Sequence, residues 1–189
     1  MGEIIPQVLD TSNLQSVQNF TNWYLGHYDN LDMLVNNAGI NYATKGIKPS
    51  PDEPFMSKQG FDKLFATNYL GHFLLTEMLL TTLTDTPKAR VIQVSSAAHA
   101  QSDGQDLLPT SPPDLEGKSR QETTLMPQAA RWDVYTKKHF LNSYSNSKLA
   151  QIASAYKIQS MLNLRPDADA VTGLKVRKVK VSVSMLTHD

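Results

Sequence analysis

The sequence predicts an α/β fold built on a doubly wound parallel sheet. Short, apolar, β-prone segments alternate with longer segments of helical periodicity, and this alternation continues along the chain without an internal repeat. Strands that alternate with helices form right-handed crossovers, which leave the strands parallel to one another. With 189 residues the chain is sized for one domain with a real core. We therefore expect residues 1–189 to form a single domain.

The first elements follow directly from the N terminus. The segment IIPQVLD predicts a strand that ends at Asp10, and either Thr11 or Ser12 is expected to cap the helix that follows. The next apolar segment, LDMLVNN, predicts a second strand. Ala38 and Gly39 stop that strand.

Two longer helices and two further strands make up the rest of the prediction. A proline-rich loop over residues 46–57 precedes a helix predicted from Phe61 to about Leu83, where apolar residues recur on one face. The segment ARVIQVSS predicts the third strand. A second long helix begins near Asn142 and ends before Pro166, and VKVSVSML predicts the fourth strand.

One long segment interrupts this regular pattern. Residues 101–133 are rich in Ser, Pro, Asp, Gln and Gly and show no helical or strand periodicity. Irregular insertions of this length are uncommon in compact domains, and they are either functional lids or mobile segments. We expect a mobile surface insertion here, with a lid over a pocket as the alternative.

Composition excludes several classes of function. Eighteen basic residues balance eighteen acidic residues, which argues against a nucleic-acid or membrane surface as the main partner. Without cysteine there is no disulfide framework and no thiolate site, and the five histidines lack metal-ligand spacing, so we expect no metal. No segment resembles a signal peptide or a membrane span, which predicts a cytoplasmic protein.

Polar residues gather where a ligand pocket is expected. In a parallel sheet with helical crossovers, ligands bind beyond the carboxyl ends of the strands. Three predicted strands end in polar residues. The first ends at Asp10, the second at the segment Asn36, Asn37, Ala38 and Gly39, and the third at Ser95 and Ser96. Asn68, Tyr144 and Lys148 lie on the two long helices that follow.

Two short motifs differ in their specificity. A tyrosine four residues before a lysine, as in YSNSK at residues 144–148, is expected roughly 0.5 times by chance in a chain of this composition. The tetrapeptide NNAG is expected only about 0.002 times. It is typical of a sharp turn whose small residues let a flat ligand approach the backbone, although an ordinary turn punctuated by Asn and Gly is the alternative.

Taken together, these residues resemble the short-chain dehydrogenase/reductase family from about residue 4 to the end of the chain. The phrases NYLGHFLLT, ARVIQVSSAAH and YSNSKLAQ are most similar to the branch of retinol dehydrogenases and WW-domain oxidoreductases. The resemblance implies a Rossmann-like fold and an oxidoreductase that interconverts an alcohol and a carbonyl with NADP or NAD. It further implies a small lipophilic substrate and pairing into a homodimer through the two long helices.

The resemblance assigns roles to four catalytic residues. Tyr144 is implied to be the general acid/base, and Lys148 to tune it and to hold the nicotinamide ribose. A free tyrosine has a pKa near 10, and a lysine ammonium one helical turn away favours the phenolate. Ser96 is implied to bind the substrate oxygen, with Ser95 as the alternative, and Asn68 to support a proton-relay water.

The cofactor residues are also assigned by resemblance. Asp10 is implied to meet the adenine, and the turn formed by Asn36, Asn37, Ala38 and Gly39 to lie beside the cofactor. His72 is expected to be a core or surface residue rather than a catalytic one.

The chain departs from the family pattern in two ways. No two of its nine glycines are separated by one residue, so the glycine-rich turn that cradles a pyrophosphate is missing. By resemblance, the first two strands and the C-terminal part of an otherwise complete fold are not present. The resemblance also leaves a membrane anchor possible in a longer parent. The rival hypothesis is a non-catalytic remnant that binds a partner through an exposed sheet edge or the 101–133 segment.

Overall fold

The computed structural model describes residues 2–41, 56–102, 104, 140–164 and 180–186. Within this part of the chain, one sheet contains three parallel strands in the spatial order β1-β2-β3. The strands are β1 Met33–Asn36, β2 Arg90–Ser96 and β3 Lys180–Leu186. They coincide with the second, third and fourth predicted strands, and the predicted α/β class with a parallel sheet is confirmed.

Helices connect and cover these strands. In chain order they are α1 Leu14–His27, α2 Lys63–Phe65, a π-helix Ala66–Leu70, α3 Gly71–Met78, α4 Leu80–Asp85, a 3-10 helix Ala97–Gln101 and α5 Phe140–Leu164. The predicted helix over 61–83 is therefore present as consecutive segments, with a π turn and a break at Leu79. Most of the proline-rich loop and nearly all of 101–133 lie outside the described residues.

The prediction of a first strand ending at Asp10 was wrong. Residues 2–10 form no strand, and the side chains of Ile4 and Val8 are 92% and 91% exposed. A strand is stabilised by its ladder of hydrogen bonds to a neighbour, so apolar, β-prone residues alone do not form one. The described residues provide no neighbouring strand for this segment.

The predicted cap of α1 also needs a correction. Asn13, and neither Thr11 nor Ser12, is the N-cap residue, and its side-chain oxygen accepts a hydrogen bond from the backbone N–H of Gln15. Asp10 instead accepts hydrogen bonds from the backbone N–H and the hydroxyl of Ser12, at 2.9 and 2.7 Å. These bonds form a local turn that positions the cap three residues later.

Within the described residues, α1, α3, α4 and α5 pack against one hydrophobic core. Leu34 and Val91, which are adjacent in the register of β1 and β2, contribute to that core. Its helical residues include Val17, Phe20, Leu75, Leu83 and Leu162. On the opposite face of β1, the side chains of Met33 and Val35 are each 49% exposed. The side chains at the strand ends that face the helices are therefore drawn into one buried layer.

A close backbone contact sets the position of α3. A Cβ atom placed on Gly71 would lie 2.0 Å from the carbonyl oxygen of Thr11, which is closer than any two such atoms can approach. Gly71 is buried and has ordinary helical backbone angles. Glycine is therefore needed here because there is no room for a side chain, and not because of the backbone conformation. The contact holds the loop before α1 against the helix that carries Asn68.

We predict that Gly71→Ala lowers the free energy of unfolding by at least about 1–3 kcal/mol, because the added methyl group forces the helix away from the Thr11 backbone. Chemical denaturation measures the change. Gly26→Ala is the matched control, since Gly26 lies in α1 with no atom within 4 Å of an added Cβ. That substitution should leave stability unchanged or raise it by up to about 1 kcal/mol. Equal effects of the two substitutions would contradict the packing argument.

Candidate active site

Asn68 joins three parts of the chain at the centre of the site. Its side chain is fully buried within the π-helix, where its Oδ1 accepts a hydrogen bond from the backbone N–H of Ile40 at 2.8 Å. Its Nδ2 donates to the Ile40 carbonyl at 3.0 Å and to the Ser147 hydroxyl at 3.1 Å. The loop after β1 and the helix α5 are thereby fastened to the same amide. Single π turns of this kind are frequent at functional sites.

Two further hydrogen bonds fasten α5 to the end of β2. The Ser95 hydroxyl donates to the carbonyl of Lys148 at 2.8 Å, and the Lys148 ammonium donates to the carbonyl of Val94 at 2.9 Å. Only 2% of Lys148 is exposed, so its charge is held in a largely water-free environment. Burial lowers the pKa of Lys148 from its ordinary value to about 8.

Tyr144 and Lys148 are brought together as the sequence predicted. The Lys148 Nζ lies 5.5 Å from the centroid of the Tyr144 ring, and Tyr144 is half-buried while Lys148 is fully buried. The backbone carbonyl of Tyr144 accepts a hydrogen bond from the Ser147 hydroxyl at 2.7 Å. Since Ser147 also accepts from Asn68, the helical turn that carries the pair is bound to the π-helix.

The turn after β1 divides into a buried and an exposed part. Asn36 is buried against the helices, where its Nδ2 donates to the Thr76 hydroxyl at 2.9 Å. Asn37, Ala38 and Gly39 are exposed. A Cβ atom on Gly39 would lie 3.3 Å from Asn68 Oδ1 and 3.7 Å from Lys148 Nζ, so the turn passes directly over the site. Glycine at this position keeps the space above Asn68 and Lys148 open.

The two serines at the end of β2 have different surroundings. Ser95 is bound to the backbone of α5, which gives it a structural contact. Ser96 is also buried, but its hydroxyl accepts only a longer hydrogen bond, 3.3 Å from the N–H of Ala98, at the start of the 3-10 helix. Its carbonyl accepts from the Nδ1 of His99 at 2.7 Å. The choice of Ser96 over Ser95 remains a prediction, and the occupied hydroxyl of Ser95 favours it.

Asp10 lies at the margin of this arrangement. Its side chain is exposed and its hydrogen bonds are all made to residues 12–16. The neighbouring Thr11 contacts Gly71, three residues after Asn68 on the same helical run. The predicted adenine contact of Asp10 therefore remains a prediction.

Sequence analysis missed the residues that connect the site. Ser147 lies inside the YSNSK motif, but nothing in its spacing distinguishes a bridging hydroxyl from an exposed one. His72 was expected in the core or at the surface, and it is buried with its Nδ1 2.9 Å from the Asn68 carbonyl. Its position four residues after Asn68 was the one available signal.

Two other kinds of feature are absent from the described ranges. These residues hold no group of three His, Cys, Asp or Glu side chains that could share a metal ion, and the expectation of no metal stays a prediction. No helical segment in the described part of the chain combines the length and the hydropathy of a membrane span.

The family model described as "short chain dehydrogenase" matches residues 1–105, which include the NNAG turn, Asn68 and the two serines. The chain belongs to the short-chain dehydrogenase family. The family resemblance predicted from the motifs is therefore confirmed.

Curated relatives confirm the similarity to retinol dehydrogenases. Human retinol dehydrogenase 14 is 38% identical over 104 residues, which are 54% of this chain and 28% of that protein. Bovine "Dehydrogenase/reductase SDR family member 13" is 30% identical over 161 residues, 85% of this chain and 34% of that protein. The chain thus spans about a third or less of the length of these relatives.

Solved structures of short-chain dehydrogenases share the fold. A metagenomic short-chain oxidoreductase in complex with NADP superposes with a TM-score of 0.56 and 18% identity, covering 100% of this chain and 60% of that one. The 3-alpha-hydroxysteroid dehydrogenase of Pseudomonas sp. B-0831, complexed with NADH, gives a TM-score of 0.55 and 20% identity, covering 93% and 56%. The doubly wound, Rossmann-like class of the sheet is confirmed.

We predict that Asn68→Ala lowers the free energy of unfolding by about 1–3 kcal/mol, because the half-buried Ile40 N–H loses its partner. A double-mutant cycle with Ser147→Ala should give a coupling energy of about 0.5 kcal/mol or more. Asn19→Ala removes an exposed amide pair on α1 and should change stability little. Additive effects of Asn68→Ala and Ser147→Ala would contradict the bridge.

We also predict a pH-dependent difference between the wild type and Lys148→Met. Between about pH 8 and 10.5 the folded protein has released the Lys148 proton while the unfolded chain still holds it, so this residue makes stability rise with pH over that window. The free energy of unfolding of the wild type, minus that of Lys148→Met, should therefore increase from pH 8 to 10.5. Lys157→Met, which removes an exposed lysine of α5, is the matched control with which the pH dependence of Lys148→Met is compared. A flat difference for Lys148→Met would contradict a buried ammonium.

Proposed function

We propose that the protein is an NAD(P)-dependent oxidoreductase that interconverts an alcohol and a carbonyl, with Tyr144 and Lys148 as its acid/base pair. One observation carries the proposal: the buried Lys148 ammonium lies 5.5 Å from the Tyr144 ring and under the open turn at Gly39. A cation held in such a place favours the phenolate of a neighbouring tyrosine. Membership of the short-chain dehydrogenase family supports the same reading.

The residues around Lys148 fit the nicotinamide end of a dinucleotide. The exposed backbone of Asn37, Ala38 and Gly39 admits a flat ligand, and the Lys148 ammonium has donors beyond the one given to Val94. Asp10 is proposed to meet the adenine end. This chain carries no glycine-rich turn, so the proposal assigns no residue to the pyrophosphate. When bound, the nicotinamide supplies or accepts the hydride.

The proton is handled by residues of this chain. In alcohol oxidation, the Tyr144 phenolate takes the hydroxyl proton as the substrate carbon gives up its hydride, and in carbonyl reduction the phenol returns that proton to the new alkoxide oxygen. Lys148 stabilises the negative charge of the phenolate in both directions. Ser96 is proposed to hold the substrate oxygen by a hydrogen bond, which polarises the carbonyl. Asn68 is proposed to hold the relay that returns the proton to water.

The proposed substrate class is drawn from the proteins that are similar to this chain. We propose a small lipophilic alcohol or carbonyl, because retinol dehydrogenases are among the relatives most similar to this chain. The exposed rings of Phe73 on α3 and Tyr156 on α5 support a homodimer through these helices. The balanced charge of the chain supports the proposal that nucleic acid is not a partner. A cytoplasmic location is proposed from the sequence, which has no segment that resembles a signal peptide or a membrane span.

The exposed face of the sheet favours a second candidate function. Met33 and Val35 on β1 and Ile4 and Val8 before α1 are exposed apolar side chains, which are typical of a surface that binds another protein. On this hypothesis the chain is a non-catalytic interaction module. It would then bind neither NADH nor NADPH, which distinguishes it from the oxidoreductase.

We predict that Tyr144→Phe in the complete protein reduces turnover at least about 100-fold, because the ring remains but the exchangeable proton is gone. Tyr156→Phe makes the same chemical change on the exposed side of α5 and should leave turnover unchanged. Reduction of retinal with NADH and with NADPH measures the rates, and circular dichroism checks that both variants fold. Turnover retained by Tyr144→Phe would overturn the assignment.

A further inference from the structure

We infer that His72 is a positioning residue of this active site: its imidazole holds the backbone of Asn68 so that the Asn68 amide faces Ile40 and Ser147. The inference rests on the proposed function, since it concerns the residue assigned to the proton relay. His72 itself is argued to touch neither substrate nor cofactor.

The geometry shows which ring nitrogen of His72 carries the hydrogen. Its Nδ1 lies 2.9 Å from the Asn68 carbonyl oxygen. Because a carbonyl can only accept, Nδ1 carries the hydrogen and Nε2 is left as an acceptor in the neutral ring. Burial lowers the pKa of His72, the bond to the Asn68 carbonyl raises it, and the positive charge of Lys148 lowers it; the net shift is downward, which favours the neutral ring at pH 7. One tautomer is therefore maintained.

The hydrogen bond acts at the point where the helix leaves the α register. In the π turn, the N–H of Gly71 donates to the Ala66 carbonyl, five residues back, instead of four. Such a turn is less favourable than a continuous α-helix and requires compensating contacts. The side-chain donor of His72 supplies one of them at Asn68 itself, in the middle of the turn.

His72 is in turn held from its other side. Its carbonyl accepts a hydrogen bond from the Thr76 hydroxyl at 2.8 Å, and that hydroxyl accepts from Asn36 at the end of β1. Asn36, Thr76, His72 and Asn68 thus form one polar chain across the helix face. It connects the strand before the NNAG turn to the amide that binds Ile40, just after the turn.

Displacement of the Asn68 amide would break its bonds to Ile40 and Ser147 together. The two bonds are 2.8 and 3.1 Å long, and Asn68 has no exposed surface through which water could replace them. Catalytic groups that move by about 1 Å can lose up to about 100-fold in rate. We therefore expect loss of the His72 donor to act on turnover through Asn68.

The experiment compares three variants of the complete protein. His72→Phe removes the donor and keeps a ring, His72→Asn places an amide nitrogen where Nδ1 was, and Thr21→Val is the matched control. Thr21 is also fully buried and also donates to the carbonyl four residues earlier, at Val17, but it lies on α1 away from the site. If His72→Phe does not fold, His72→Leu takes its place.

Two readouts are used. In the first, kcat of His72→Phe should fall about 10- to 100-fold with little change in the KM for the cofactor, while His72→Asn should recover most of it. Thr21→Val should lower the unfolding temperature and leave kcat unchanged. A wild-type kcat in His72→Phe, or a loss that His72→Asn does not recover, would overturn the inference.

The second readout does not depend on activity. The amide hydrogen of Ile40, which donates to Asn68 Oδ1, should exchange with solvent at least about 10-fold faster in His72→Phe than in Thr21→Val at matched global stability. Equal exchange rates would overturn the inference. If the wild type shows no turnover, the proposed function fails, whereas this comparison still decides the role of His72.

Discussion

The site depends on the pairing of one buried amide. Asn68 is fully enclosed, and a buried amide without partners is costly, so hydrogen bonds to its oxygen and nitrogen stabilise the fold. Its partners come from the loop after β1 and from α5, which are far apart in the chain. Satisfying Asn68 therefore brings the NNAG turn and the Tyr144/Lys148 pair to the same place. The contacts that stabilise the fold around Asn68 therefore also assemble the proposed acid/base site.

The layered arrangement of the sheet explains why Lys148 can be functional. In the described part of the chain, α1, α3, α4 and α5 share one core with β1 and β2, and α5 is bound to β2 through Ser95 and through the Lys148 ammonium itself. Charges interact more strongly in this buried layer than in water, which supports the proposal that the Lys148 ammonium, 5.5 Å from the Tyr144 ring, acts on that residue. A surface pair with the same YSNSK spacing would have little effect. The YSNSK motif does not encode burial, and burial is what distinguishes Lys148 from the lysine of such a surface pair.

Sequence analysis predicted the parts whose pattern is local. The three strands, α1 and α5 were found because short apolar runs and helical periodicity describe burial against a sheet or core. The strand at residues 4–10 was wrong because a strand needs a neighbour, and propensity does not report one. The bridging role of Ser147 was not predicted because it depends on a contact with Asn68, a distant residue in the chain. The π turn and the bond from His72 to Asn68 are local, but helical periodicity does not distinguish them from a continuous α-helix.

The most direct test traces the hydride from the nicotinamide to the substrate. The complete protein is given retinal with NADH or NADPH that carries deuterium on one face of the nicotinamide C4, and the retinol formed is weighed by mass spectrometry. The account predicts retinol heavier by one deuterium from one of the two labelled faces, and no transfer in Lys148→Met. Absence of deuterated retinol with both cofactors and both faces, under conditions where retinal is bound, would contradict an oxidoreductase built around Tyr144 and Lys148.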